Sequence, residues 1–339
     1  MTITTLPVHP AGATVLVFPG QGSQWAGMAA DLCDSSPVFT RRLRECATAI
    51  EHFTGWNVED VLRQRPGSPS LDAVEVVQPA LFAVHVSLAE LWMTNGLAPQ
   101  AVVGQSQGEI AAACVAGALT LDDAARVIAL RSQLFAETLV GTGGIASIDL
   151  PGTAVEHRLR AYPGKLEIAG RIGPRTTTVA GDVAALDELV AQCNADGAKA
   201  TVVPASIPSH CFAIEPLRAR LTEMLAPVRP QTARIPMYST VTAAQIDGRR
   251  LTADYWYDNA RRPVEFDPAI RRLLFDGARV FVESSAHPVL TRAITATADT
   301  LNIATTVTGT LRRGHGGAEQ FQASLVGVPH GMPATVSAA

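Results

Sequence analysis

A short apolar run, Ala101-Val102-Val103, breaks at Gly104-Gln105-Ser106-Gln107-Gly108 and continues into Glu109-Ile110-Ala111-Ala112-Ala113, whose pattern predicts a helix. No other stretch constrains the fold as strongly. A buried strand turning sharply into a helix at Gly-x-Ser-x-Gly is the form of a nucleophile elbow. The serine is pushed clear of the sheet, and the flanking glycines let the backbone pass close by without a Cβ clash. The helix N-terminus and the amide after the serine would then face a developing oxyanion. The plainer alternative is an ordinary glycine-rich strand-helix turn, because five-residue matches also occur by chance.

Elsewhere short apolar runs alternate with helical spacing. Residues 13–18 are largely apolar and run into Pro19-Gly20-Gln21-Gly22-Ser23-Gln24, which predicts a strand buried on both faces, as in a parallel sheet, followed by a tight loop with free amides. Helical spacing extends from 29 to about 53. A second helix is predicted over 78–92, with Pro79 in its first turn, where a missing amide hydrogen removes no bond. A third covers 121–132 and has an acidic first turn. From about 143 to 203 the order becomes strand, helix, strand, strand, helix, strand (145–148, 154–162, 166–169, 176–180, 183–196, 200–203), a ferredoxin-like arrangement. A helix at 215–225 and a buried-type strand within 280–288 return the chain to its main domain. The expected fold class is α/β: a large domain on a parallel sheet, an inserted ferredoxin-like subdomain at 139–203, and a Gly-, Ala- and Pro-rich tail at 316–339 expected to be mobile.

At 339 residues the chain can bury a large core. Its charge is nearly balanced, with 27 basic and 31 acidic residues, and the arginines are scattered, so no nucleic-acid partner is expected. The first residues lack a basic stretch followed by an apolar one, and no uncharged apolar run is long enough to span a bilayer, so no membrane partner is expected either. A cytoplasmic, monomeric enzyme is the expectation. The five cysteines are odd in number and lack Cys-x-x-Cys spacing, which argues against a disulfide framework and a zinc site; no metal is expected.

A serine needs a base in hydrogen-bond reach to become a nucleophile at neutral pH. Of eight histidines, His9 and His330 lie in the tails and His52 and His157 sit among charges. His85 lies in an apolar helix that suits a satisfied core histidine, and His315 in a glycine-rich loop. His210 and His287 remain, both in loops leaving apolar stretches. Arg131 follows an apolar run; a structural ion pair is the first expectation there, a clamp for a substrate carboxylate the sharper one.

Eight blocks carry a wider resemblance: Phe18–Trp25, Val77–Ala83, the Gly-Gln-Ser-Gln-Gly-Glu elbow, Arg131-Ser132, Ser209-His210, Tyr238–Thr242, Tyr255-Trp256-Tyr257 and Ser285–Leu290. In this order, from about residue 14 to 312, the chain resembles the acyltransferase domains of modular polyketide synthases and, more distantly, malonyl-CoA:acyl-carrier-protein transacylases. The resemblance implies an α/β-hydrolase-like domain over 1–138 and 204–315 around the ferredoxin-like insert. It implies that Ser106 is acylated by an acyl thioester, that His210 is its base and is oriented by backbone carbonyls, and that the amides of Gln21 and Gln107 form the oxyanion hole. The acceptor would be the phosphopantetheine thiol of an acyl carrier protein. No bound cofactor is implied; phosphopantetheine or coenzyme A serves as the acyl carrier.

The departures from the family pattern are informative. The elbow carries Gln105 where the family has histidine, and Ile207-Pro208-Ser209-His210 replaces the Tyr-Ala-Ser-His or His-Ala-Phe-His of extender-unit enzymes. Ile172-Gly173-Pro174 and Ser285-Ala286-His287-Pro288 also differ, standing for Asn-Gly-Pro and Ser-Pro-His-Pro. Arg131, which holds the free carboxylate of malonyl groups in relatives, is retained. Gln105, Ile207, Pro208 and Ser209 are therefore expected to shape an altered acyl pocket, with a lean toward a non-standard starter or aminoacyl unit taken from another carrier protein. A malonyl-type unit from coenzyme A is the alternative. The first motif begins soon after Met1, so a discrete enzyme acting in trans is expected. An editing thioesterase and an idle carrier-binding module are the readings from other classes.

Overall fold

The computed structural model describes residues 12–204 and 207–328. Its strands are β1 (Ala13–Phe18), β2 (Ala101–Gly104), β3 (Gly144–Ile148), β4 (Leu166–Gly173), β5 (Thr176–Gly181), β6 (Ala200–Val202), β7 (Met237–Ser239), β8 (Ala244–Ile246), β9 (Val264–Glu265), β10 (Ala278–Glu283) and β11 (Thr306–Gly309). The larger sheet runs β11-β10-β1-β2-β7-β8 and is parallel except at the β7–β8 edge. Parallel strands need helical crossovers, which cover both faces. Successive side chains accordingly divide between two cores: Leu16, Phe18, Val102 and Val282 enter one, and Val15, Val17, Val103 and Phe281 the other.

The smaller sheet runs β6-β3-β5-β4-β9. Its first four strands pair antiparallel, with helices Gly152–Leu159 and Val183–Ala195 packed over a separate core that includes Val155, Val179, Leu186 and Leu189. The fifth strand, β9, pairs in parallel with β4 and comes from beyond the 139–203 segment. The insert is thus tied back to the main domain by the sheet itself.

Several sequence expectations are corrected. The helix expected over 29–53 is two helices, Ala30–Ser35 and Pro37–Thr54, because Ser36 is extended, caps the second helix through its hydroxyl (3.3 Å to the Phe39 amide) and precedes a proline at the first helical position. Pro79 lies in the interior of helix Val74–Thr94, not in its first turn; tertiary burial sustains the helix through it. That helix is long and apolar enough to cross a membrane, but it lies within the larger core, and being packed on all sides accounts for its apolarity. The segment expected as one helix at 215–225 is a 3₁₀ turn, Phe212–Leu217, leading into Arg218–Leu225. The tail is not mobile from 316: helix Ala318–Val326 packs Phe321 edge-on against Trp92, and Ser324 donates to the Thr310 carbonyl (2.8 Å). The tail beyond 328 lies outside the described residues, as do His9 and His330. All five cysteines are free and buried.

The elbow glycines are required by contact. A Cβ on Gly108 would lie 2.1 Å from the Phe18 carbonyl oxygen, and one on Gly104 would lie 2.2 Å from the Glu109 nitrogen. Gly108→Ala is expected to destabilise the fold by about 3 kcal/mol through overpacking, read as a lowered urea midpoint; an unchanged midpoint would contradict this packing.

Candidate active site

β1 and β2 end level, with Phe18 opposite Gly104, so the loop over 19–25 and the elbow leave the sheet side by side. Gln105 stitches them together. Its amide donates to the Phe18 carbonyl (2.8 Å), and its Oε1 accepts from the Gly20 amide (3.1 Å). Ser106 follows in the left-handed region at φ 56°, a conformation L-residues adopt at a cost. The next helix, Gly108–Val115, starts at once, with Gln107 as its N-cap.

His210 reaches Ser106 from the loop that returns from the small sheet. Its backbone is also left-handed, at φ 62°. Its amide donates to the Ala260 carbonyl (2.8 Å), and Nδ1 lies 3.0 Å from the Arg262 carbonyl. A carbonyl can only accept, so Nδ1 carries the proton and Nε2 is left bare. Nε2 stands 2.7 Å from Ser106 Oγ, placed to receive the hydroxyl proton. Asn259 completes the arrangement, donating from Nδ2 to the Ser106 carbonyl (3.2 Å) and accepting at Oδ1 from Arg131 Nη1 (3.0 Å).

Arg131 is only 1 % exposed. The ion pair expected for it is not formed: among the described residues its side chain meets Asn259 and the face of Phe135, and Nε has no partner. Burial lowers its pKa to about 10, while the charge of Glu109 opposes that shift. Glu109 spends its carboxylate elsewhere, accepting from the Thr240 amide, from Thr240 Oγ1 (2.6 Å) and from the Tyr255 hydroxyl. Burial raises the Glu109 pKa.

Ser106 and His210 face a cavity of about 470 Å³ between the two sheets. Ile145, Ala169, Ile172, Ile207 and Val264 form its apolar wall. Gln21, Gln105, Gln107 and Ser209 line it as expected from sequence, and the Gln21 and Gln107 amides donate to no other described residue. Two expected pocket residues do not line it: Pro208 is turned away to pack against Gly143, and Arg131 is buried and bonded to Asn259. His287 makes no contact with Ser106: residues 285–291 wrap the buried Glu283 carboxylate, which accepts the amides of Val289, Leu290 and Thr291, and His287 is carried outward by that turn. Asn259, the Ala260 and Arg262 carbonyls, Gln78 and Arg313 were not singled out from sequence. Asn259 had one visible signal, a short polar side chain two residues after Tyr255-Trp256-Tyr257. Ile172, noted only as a departure, proves to be cavity wall.

Burial, first, and the Arg131 charge, second, lower the His210 pKa to about 4, against an opposing hydrogen bond to the Arg262 carbonyl. The histidine is therefore predominantly unprotonated, and able to accept a proton, from weakly acidic pH upward. Labelling of Ser106 by a fluorophosphonate in short pulses is expected to be flat from about pH 5 to pH 8 and to fall only toward pH 4; a half-maximal rate near the ordinary imidazole value would contradict the assignment.

Known proteins are similar to this chain in both sequence and fold. The acyl transferase domain family model matches residues 15–330. Spectinabilin polyketide synthase system protein NorA' of Streptomyces orinoci is 50 % identical over 314 residues, covering 93 % of this chain and 9 % of that protein. Pikromycin polyketide synthase component PikAIII of Streptomyces venezuelae is 48 % identical, over 93 % of this chain and 20 % of its own length, so the chain spans a small part of these curated relatives. Among solved structures, the acyltransferase domain from module 8 of the salinomycin polyketide synthase superposes with a TM-score of 0.92 at 49 % identity, covering 96 % of this chain and 77 % of that one. A loading acyltransferase from the avermectin modular polyketide synthase gives 0.89 at 44 %, covering 93 % and 99 %. The chain belongs to the acyl transferase domain family.

Proposed function

We propose that this enzyme moves an acyl group through an ester on Ser106 to the phosphopantetheine thiol of an acyl carrier protein in polyketide biosynthesis. The 2.7 Å contact between Ser106 Oγ and the bare Nε2 of His210, at the floor of a cavity, carries the reading. In the first half, Ser106 Oγ attacks the thioester carbonyl carbon, Nε2 takes the hydroxyl proton, and the C–S bond breaks as that proton passes to the leaving thiolate. In the second half, the carrier thiol gives its proton to Nε2, its sulfur attacks the ester carbonyl, the C–O bond breaks and the proton returns to Oγ. The unused Gln21 and Gln107 amides would hold the oxyanion in both halves.

The acyl group we favour is a non-standard starter or aminoacyl unit, delivered by another carrier protein to an enzyme acting in trans. The apolar wall supports a group without a carboxylate, as does the fact that Arg131 is not among the residues lining the cavity. Gln78 and Gln107 border this cavity, and Gln78 Oε1 and both ends of the Gln107 side chain have no partner, so that a turn of either side chain toward the cavity would bring them to an amine or amide on the acyl chain. A malonyl-type unit is the second reading, favoured by one observation: Arg131 Nε is buried and unpaired.

Intact-mass measurement after incubation with malonyl and with uncarboxylated aminoacyl thioesters is expected to show one acyl adduct, formed at least about tenfold faster from the uncarboxylated donor and absent in Ser106→Ala. An adduct that persists in that variant would overturn the mechanism. In Arg131→Met the aminoacyl-to-malonyl ratio is expected to hold. A wild-type preference for malonyl that collapses in the variant would establish the second reading.

A further inference from the structure

One arginine, Arg313, lines the cavity among the described residues, and it does so from the exposed end. It stands in the loop after β11, where Arg312 and His315 pair backbone to backbone (3.2 and 2.7 Å) around Gly314 at φ 77°. The loop is braced against the 19–25 segment. A Cβ on Gly316 would come within 3.0 Å of the Trp25 indole, and Trp25 Nε1 in turn donates to the Ala286 carbonyl (3.0 Å). The Arg313 amide donates to His287 Nδ1 (3.3 Å), and its Nη2 donates to the Gln24 carbonyl (3.3 Å), beside Gly22 and Gln24 in the cavity wall. The guanidinium is thereby seated at the seam between the loop that carries Gln21 and the loop after β11.

Its charge is uncompensated. Arg63, Arg171 and Arg261 each bind two carboxylates, whereas no carboxylate pairs with Arg312 or Arg313 among the described residues. Partial burial and the nearby charges of Arg313 and Arg312 hold His287 below the usual imidazole range, as expected where positive charge lacks a counter-ion. A guanidinium with no carboxylate partner at the open end of a cavity, with an acyl-accepting serine inside it, fits a substrate that presents an anion at one end and a thioester at the other.

We propose that Arg313 binds the phosphate of the 4′-phosphopantetheine arm, the anion shared by coenzyme A thioesters and carrier-bound thioesters. The inference rests on the thioester-transfer reading and adds to it the second anchor of the arm. The serine fixes the sulfur end and Arg313 the phosphate end, so both the donor and the acceptor of a ping-pong cycle enter in one register. Gln24, whose carbonyl holds the guanidinium, is a positioning residue for this contact.

The test is competition against fluorophosphonate labelling of Ser106, with 4′-phosphopantetheine and pantetheine as the competitors, so that no acyl group need be known. The wild-type enzyme is expected to be protected by phosphopantetheine at about five- to tenfold lower concentration than by pantetheine, a gap that narrows as salt is added. Arg313→Gln is expected to close the gap while leaving protection by pantetheine unchanged, and Arg313→Lys to retain part of it. Coenzyme A and a holo-carrier serve as further competitors. Weakening of both in Arg313→Gln marks the shared phosphate, whereas weakening of coenzyme A alone would place the contact on the nucleotide and overturn the assignment. Equal protection by the two compounds in the wild type, or a gap that survives in Arg313→Gln, overturns the Arg313 site and leaves acyl transfer standing. Protection by neither compound overturns the thioester reading and this inference with it.

Discussion

The Ser106–His210 pair depends on the end of one helix, Ala253–Arg261. The last carbonyls of a helix have no partner inside it. Here those of Ala260 and Arg262 take the two N–H groups of His210, one from its backbone and one from its ring, while Asn259 holds the carbonyl of Ser106. Both held residues are left-handed and neither is glycine, a backbone state that costs about 1–3 kcal/mol per residue. Fixing both from the same rigid turn keeps Oγ and Nε2 in register although the two residues lie 104 positions apart in sequence. Glu109 joins this helix to the elbow helix, since Tyr255 on one donates to the carboxylate carried by the other.

The same helix end also sets an electrostatic contest. Its carbonyls favour a charged imidazolium, while burial and the Arg131 charge disfavour it and prevail. The base therefore rests unprotonated, and the Arg262 carbonyl is in place to stabilise the charge that forms while the proton is held. Arg131 is a buried cation with a neutral partner, Asn259, rather than an ion pair. One side chain thus couples the position of the serine to the charge that tunes the histidine.

Much of this was legible in the sequence, for identifiable reasons. Continuous apolar runs marked β1, β2 and β10 because strands of a parallel sheet are buried on both faces, and the change of texture after 143 marked the small sheet. The elbow was visible because its glycines answer a local contact, as Gly108 against Phe18 shows. Features made by long-range contact were not. Helical spacing alone could not separate residues 30–35 from 37–54, nor foresee that Phe321 would anchor the chain end on Trp92. Pro208 was read as pocket because it stands in the block, ahead of the histidine, that departs from the pattern of extender-unit enzymes, yet the turn that aims His210 inward sends Pro208 outward against Gly143. Asn259 acts through backbone and side-chain partners 153 and 128 residues away, and no local pattern encodes those.

The small sheet closes over the elbow with an apolar wall, which should exclude water from an acyl ester while admitting a slender thiol. That is the difference between a transferase and a hydrolase built on the same serine and histidine. It is tested most directly by isolating the acyl-Ser106 enzyme and following the loss of its added mass in buffer and in the presence of a holo-carrier protein. The account predicts an ester that is stable in buffer and drained rapidly and stoichiometrically onto the carrier thiol. Decay at the same rate with and without carrier, releasing free acid, would contradict it.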